Sequence, residues 1–176
     1  MGKQSIILLS GLTLLLAACA PAEPLSVPPS AMIIKSPAFG EGGTIPVRFT
    51  CDGEGVSPPL TFSNVLQNVQ SLALVMDDPD APSGDYVHWV VYNIDPIPLV
   101  VPEGTVPSGG KLGVTGSQEA RYVPPCPPSG AHRYFFHLYA LDTVLSFDAA
   151  PSKADLVAAM QGHVLAEAEL TGTFGS

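Results

Sequence analysis

Four carboxylates (Asp77, Asp78, Asp80 and Asp85) crowd the start of the segment DDPDAPSGDYVHWVVYNI, residues 77–94, and His88 follows at once. A second segment, PPCPPSGAHRYFFHLYALD at 124–142, carries Cys126, His132 and Tyr134. Imidazoles and a phenol donate hydrogen bonds to phosphate oxygens, imidazoles most strongly when protonated. Backbone N–H groups of the Ala81–Gly84 turn could add a nest for an anion. Asp78 works against a plain anion. It can instead orient a histidine, accept the proton of a monoanionic phosphate, or receive the ammonium of a zwitterion. The set therefore suits a zwitterionic phospho-group better than a simple anion.

The same residues admit other chemistry. Two histidines and one carboxylate form a legitimate metal set, and Asp78, His88 and His132 could run acid–base hydrolysis. No HxxxH or HxH spacing supports a metal, and there is no G-x-S-x-G elbow or P-loop. The expectation is a non-catalytic binding module with no metal and no cofactor, with a hydrolase as the alternative. A further alternative is a protease-inhibitor or host-interaction surface on the exposed loop 96–116. Asp bonds local amides readily, so Asp77 and Asp85 are read as turn residues, and Asp80 as balanced between turn and site. His137 and His163 are read as structural.

Strands must position these groups. SLALVMDD, YVHWVVYNI and RYFFHLYALD are rich in β-branched and aromatic residues and bounded by Pro and Gly. MIIKSPAF and TIPVRFTCDG read as further strands, and LAEAELTGTF alternates as a half-exposed strand would. Period-2 alternation puts His88 on one face with Val90, Tyr92 and Ile94, and His132 with Tyr134, Phe136 and Leu138. Trp89 and Phe135 then point away from the histidines, into a core. One helix is expected in SKADLVAAMQGHV, capped by Ser152, with Asp155 in its first turn and Leu156, Ala159, Met160 and His163 on one face. Strands without intervening helices predict a mostly β, antiparallel sandwich with one or two short helices near the C-terminus.

The chain's 176 residues suit one domain with additions, and 46% hydrophobic content supplies a core. A formal charge of −9 with no basic block argues against nucleic acid as a partner. Residues 1–18 read as an export signal, with Lys3 followed by an apolar run too short to span a bilayer. Leu16-Ala17-Ala18-Cys19 resembles a bacterial lipobox, which implies lipidation of Cys19. The Pro-rich segment 19–31 then serves as a tether and 32–176 as the domain. Ala20 follows the cysteine, so an inner-membrane retention signal of the Asp type is absent, and an outer-membrane lipoprotein is expected. In an exported domain Cys51 and Cys126 can form a disulfide. They can also remain separate buried thiols, or Cys126 can act as a nucleophile beside His132.

Residues 77–94 and 124–142, with CDGEGVSPPLTF and MQGHVLAEAELTGTF in the same order, resemble the phosphatidylethanolamine-binding protein family. Within it they are similar to the bacterial branch described as Raf-kinase-inhibitor-like. The resemblance runs from about residue 32 to 176 and implies a β-sandwich with a small anion-accepting pocket at one end. Carried over residue by residue, it implies a pocket of Asp78, Ala81, Pro82, His88, His132 and Tyr134, with Pro125, Cys126 and Gly130 in one wall. The branch has a Gly-Tyr-x-Gly-Pro run before the cysteine; here it reads Arg121-Tyr122-Val123-Pro124-Pro125. The implied partners are a small phosphorylated or zwitterionic ligand, the membrane through the lipid anchor, and an unidentified protein.

Overall fold

The computed structural model describes residues 31–97 and 100–175. The expected export signal, Cys19 and nearly all of the expected tether lie outside the described residues. Among the described residues nine strands and one α-helix follow one another. They are β1 (Ile33–Lys35), β2 (Gly43–Thr44), β3 (Leu60–Ser63), β4 (Ser71–Asp78), β5 (Tyr86–Ile94), β6 (Val100–Val101), β7 (Lys111–Leu112), β8 (Ala131–Leu141), α1 (Lys153–Met160) and β9 (Val164–Gly175). A six-stranded sheet has the order β2-β9-β8-β4-β5-β7, and a three-stranded sheet has β1-β3-β6. All pairs are antiparallel except β2 with β9, which is parallel.

The larger sheet buries both faces. Leu72, Leu74 and Met76 of β4 pack with Trp89 and Val91 of β5, Tyr134, Phe136 and Leu138 of β8, and Leu60 and Phe62 of the small sheet. Ala73 and Val75 face the other way, with Val90, Tyr92 and Leu141, onto Leu156 and Met160 of α1. Every residue of β4 is therefore buried. A strand covered on both sides reads as a continuous apolar run, as SLALVM does. Truncating any of its leucines would cost about 2–5 kcal/mol.

Three expectations are corrected. TIPVRFTCDG is not a strand: only Thr44 belongs to β2, and Val47–Phe49 form a 3-10 turn after Pro46. Proline has no N–H to give to a ladder, and the turn closes through Thr50 N–H onto the Val47 carbonyl at 3.0 Å. Phe135 is half-buried rather than core, stacked on His137 with the Arg133 guanidinium 5.6 Å from its ring centroid. His163 lies beyond α1. The helix ends at Met160, Gly162 takes a positive φ of 80°, and the His163 ring turns to Asp142 at 2.8 Å. The start of α1 follows its caps: Ser152 accepts from Asp155 N–H while the Asp155 carboxylate accepts from Ser152 N–H.

Cys51 and Cys126 are joined by a disulfide across a separation of 75 residues. It ties the turn after Phe49 to the Pro-rich segment before β8, and Cys51 N–H adds a bond to the Pro125 carbonyl at 3.0 Å. Closing so long a loop restricts the unfolded chain, so reduction is expected to lower stability by about 2–4 kcal/mol. Alkylation with and without reductant, followed by mass spectrometry and a denaturant titration, checks both parts. Labelling of these cysteines without reductant, or an unchanged midpoint, refutes the assignment.

Candidate functional site

β4 ends in two consecutive carboxylates, each only 3% exposed. Alternation sends them to opposite faces, and each finds its own partners. Asp78, on the side of the small sheet, takes the His132 ring at Nδ1 (2.7 Å) on one oxygen and the Asp80 N–H (2.9 Å) on the other. Asp77, on the α1 side, takes the Lys153 ammonium at 2.7 Å and lies 3.4 Å from His137 Nε2. Lys153 also reaches Asp85 at 2.5 Å. Asp80 is clamped by Arg133, through its backbone N–H (2.9 Å), Nε (2.8 Å) and Nη2 (2.7 Å). Asp77 and Asp85 are thus ion-pair residues and not turn residues.

His88 reaches the site through an irregularity that simple alternation misses. Met76 pairs with Trp89 but Asp77 pairs with Val87, so β5 carries one extra residue there, and that residue is His88. A bulge of this kind re-aims a side chain. The His88 ring stands edge-on to Tyr134 at 5.2 Å and to Tyr86 at 5.0 Å, instead of following Val90 onto the α1 face. A second shift between Leu72 and Leu74 coincides with Asn93 at φ 57°, and it separates Tyr92 from Ile94. The expected grouping of His88 with Val90, Tyr92 and Ile94 therefore does not hold.

His88 and the Pro-rich wall hold each other. Its Nδ1–H donates to the Val123 carbonyl at 2.8 Å, and Val123 N–H donates to the His88 carbonyl at 2.8 Å. Tyr86 packs against Gly116, where any Cβ would fall 2.5 Å from the Tyr86 ring. Here only glycine allows the approach.

These elements enclose a cavity of about 230 Å³. Asp78, Ala81, Pro82, His88, Cys126 and His132 line it, so the two imidazoles and the carboxylate from distant segments share one opening. Three expected residues do not line it. Tyr134 is completely buried and its hydroxyl has no hydrogen-bond partner among the described residues, so it backs the site instead of offering a donor. Pro125 is buried, with its carbonyl holding Cys51. Gly130 lines a neighbouring cavity on the other side of the Cys126–Pro128 rim. Alternation missed Tyr86, although its position two residues before His88 was a usable signal. Val123, Pro124, Pro127 and Pro128 also line the cavity. The Ala81–Gly84 turn contributes Ser83, but Gly84 N–H is already bonded to the Ala81 carbonyl, so the expected nest is incomplete. A larger cavity, about 650 Å³, lies against α1 and is mostly apolar. Chemistry, not size, marks the smaller one.

The electrostatics are specific. Burial pushes the His88 pKa down by more than the Val123 carbonyl and Asp78 hold it up, so the ring is neutral near pH 7. With Nδ1–H committed, Nε2 of neutral His88 is an acceptor. Across the sheet, burial raises the Asp77 carboxyl, but His137 and Lys153 outweigh it and the net shift is downward. His137 is raised, chiefly by Asp77. Burial pushes Tyr134 upward, helped by Asp78 and Asp80, so its hydroxyl stays protonated.

The sequence model of the phosphatidylethanolamine-binding protein family matches residues 35–175. The chain belongs to this family. A UPF0098 protein of Methanothermobacter thermautotrophicus is 51% identical over 148 residues, covering 81% of this chain and 98% of that one. A crystal structure of a phosphatidylethanolamine-binding protein homologue from Chlamydia trachomatis superposes with a TM-score of 0.80 at 43% identity, covering 83% of this chain and 98% of its own. Escherichia coli YbcL, described as a member of the mammalian family, gives 0.76 at 27% identity over 84% of this chain and 99% of its own. A Mycobacterium tuberculosis protein named as a candidate lipoprotein, LppC, is 39% identical over 155 residues, covering 87% of this chain and 73% of its own.

Two pKa shifts of opposite sign follow from this geometry. In an NMR titration His88 is expected to titrate below 6.5, the ordinary value, and His137 above it. His137 contributes stability below pH 6.5 that is lost as pH rises through its folded value, whereas Asp77 contributes above 3.8 and loses it as pH falls through its own. His137→Asn should flatten stability against pH on the alkaline side of 6.5. The reverse order of midpoints, or an unchanged profile, contradicts the network.

Proposed function

We propose that this family member is a non-catalytic binding module whose Asp78–His88–His132 cavity takes a small phosphorylated or zwitterionic headgroup of the phosphoethanolamine type. The observation that carries the reading is the convergence of two imidazoles on one opening with both Nδ1 atoms committed, one to Val123 and one to Asp78. Each ring then has Nε2 for a ligand. A neutral ring offers an acceptor there, and a protonated ring a charge-assisted donor. A zwitterion satisfies both conditions, its ammonium meeting Asp78 or a neutral imidazole and its phosphate meeting a protonated one. The family's name, which records phosphatidylethanolamine, supports the same chemistry.

Beside the Ser83 and Tyr86 hydroxyls, the imidazoles add donors at Nε2 only by gaining protons. Phosphoethanolamine affinity is therefore expected to rise as pH falls from 8 to 5, and burial of His88 displaces its share of that rise to lower pH. At the acid end of that range His132→Ala and His88→Ala should each weaken binding by roughly tenfold, as loss of a charged hydrogen bond does. Calorimetric or NMR titration with phosphoethanolamine, inorganic phosphate and nucleotides measures this. A flat profile sinks the reading, and turnover of a phosphate ester would favour the hydrolytic alternative.

The proposal extends to location: the module is tethered to a bacterial membrane through a lipid on Cys19. The lipobox-like Leu16–Cys19 and the lipoprotein name of the mycobacterial relative support this. Cys19→Ser is expected to move the protein from the membrane fraction to the soluble fraction and to abolish fatty-acid labelling. Retention in the membrane without labelling excludes the anchor.

A further inference from the structure

We infer that Lys153, which does not line the Asp78–His88–His132 cavity, is its positioning residue: from the opposite face of the sheet it holds the 79–85 loop that forms one cavity wall. The inference rests on the reading of that cavity as a binding site.

The chain entering β5 alternates between two cavities. Asp85 and Val87 line the 650 Å³ groove beside α1, while Tyr86 and His88 line the 230 Å³ site. The end of β4 is also divided between the two faces, with Asp78 in the site and Asp77 bonded to Lys153 on the α1 side. Lys153 joins the two strands on that side, 2.7 Å from Asp77 and 2.5 Å from Asp85. An exposed Lys–Asp pair alone holds little, because two long side chains must be ordered to make it. Here most of that ordering is already done. Asp77 is 5% exposed in its side chain and fixes the ammonium, and Ser152 and Asp155 cap the helix at the lysine's own position.

The other end of the loop is fixed too, by Arg133 on Asp80 and by Asp80 N–H on Asp78. Ala81, Pro82 and Ser83, the wall itself, are suspended between two ion pairs. Within the turn the Gly84-to-Ala81 bond is the main tie, and Gly84 sits at φ 92°. Releasing Asp85 from Lys153 therefore loosens the wall without touching a cavity residue.

The decisive variant is Asp85→Asn. It keeps the Lys153–Asp77 pair, so the core stays neutralised. It also separates two explanations by sign. Removing a negative charge near the site should tighten binding of an anion, whereas loosening the wall should weaken binding. Hydrogen exchange of the 80–86 amides and phosphoethanolamine titration are measured on the full chain for wild type, Asp85→Asn, Lys153→Met and Lys153→Arg. In Asp85→Asn we expect exchange in this loop to quicken and affinity to fall by roughly threefold or more, the range of coupled ion-pair groups, with an unchanged unfolding midpoint. Lys153→Arg should restore the protection that Lys153→Met loses. Unchanged exchange or tighter binding in Asp85→Asn overturns the inference. Quickened exchange, with no binding of phosphoethanolamine by wild type, sinks the binding reading but supports the hold of Lys153 on the wall.

Discussion

The architecture turns on burying Asp77 and Asp78, side by side at the end of its central strand. A carboxylate removed from water without partners costs several kcal/mol, so this strand end is tolerable only if each oxygen is met. Pleating sends the two groups to different faces, and no single side chain can serve both. β8 does so with two histidines of opposite parity, His132 for Asp78 and His137 for Asp77. α1 adds Lys153, and the loop adds the Asp80 amide. The β4–β8 pairing and the docking of α1 are thus electrostatic as well as apolar requirements. The apolar part sets the layers, while the charges determine which strand end can be a site.

The larger elements were legible because their signals are strong. β4, β5, β8 and β9 announce themselves by composition and alternation, and α1 by its capping box. The short ones were not. In TIPVRFTCDG the β-branched residues favour a strand, but Pro46 withholds a ladder donor and the local turn prevails. His163 fits a helical period on paper, yet Gly162 ends the helix first. The fate of His88 depended on a bulge, which no period-2 reading contains. Its cause is tertiary: the ring's bond to Val123 and its packing between Tyr86 and Tyr134 hold the extra residue on the site face.

The site itself was partly legible, and the misses share a cause. Asp78, Ala81, Pro82, His88, Cys126 and His132 line the cavity. Tyr134 lies on the same face as His132 but two residues deeper, where the small sheet covers it. Pro125 and Gly130 flank the lining residues of a curved segment, and curvature decides which side chains turn inward. Residue type and spacing find the strand and the face; depth along the strand and the turn of a Pro-rich segment belong to packing.

The distribution of charge limits what the cavity can hold. The chain carries −9, Asp78 is in the lining, and burial keeps His88 neutral near pH 7. No lysine or arginine is among the lining residues. A dianionic phosphate entering such a place would meet the Asp78 carboxylate and a neutral His88, with the Ser83 and Tyr86 hydroxyls as donors. A ligand that brings its own proton or ammonium meets groups able to receive it. Two permanent cations, Arg133 and Lys153, sit on the carboxylates of the adjoining loop instead. They shape the cavity without filling it, and under the proposed reading selectivity falls to the imidazoles together with the Ser83 and Tyr86 hydroxyls.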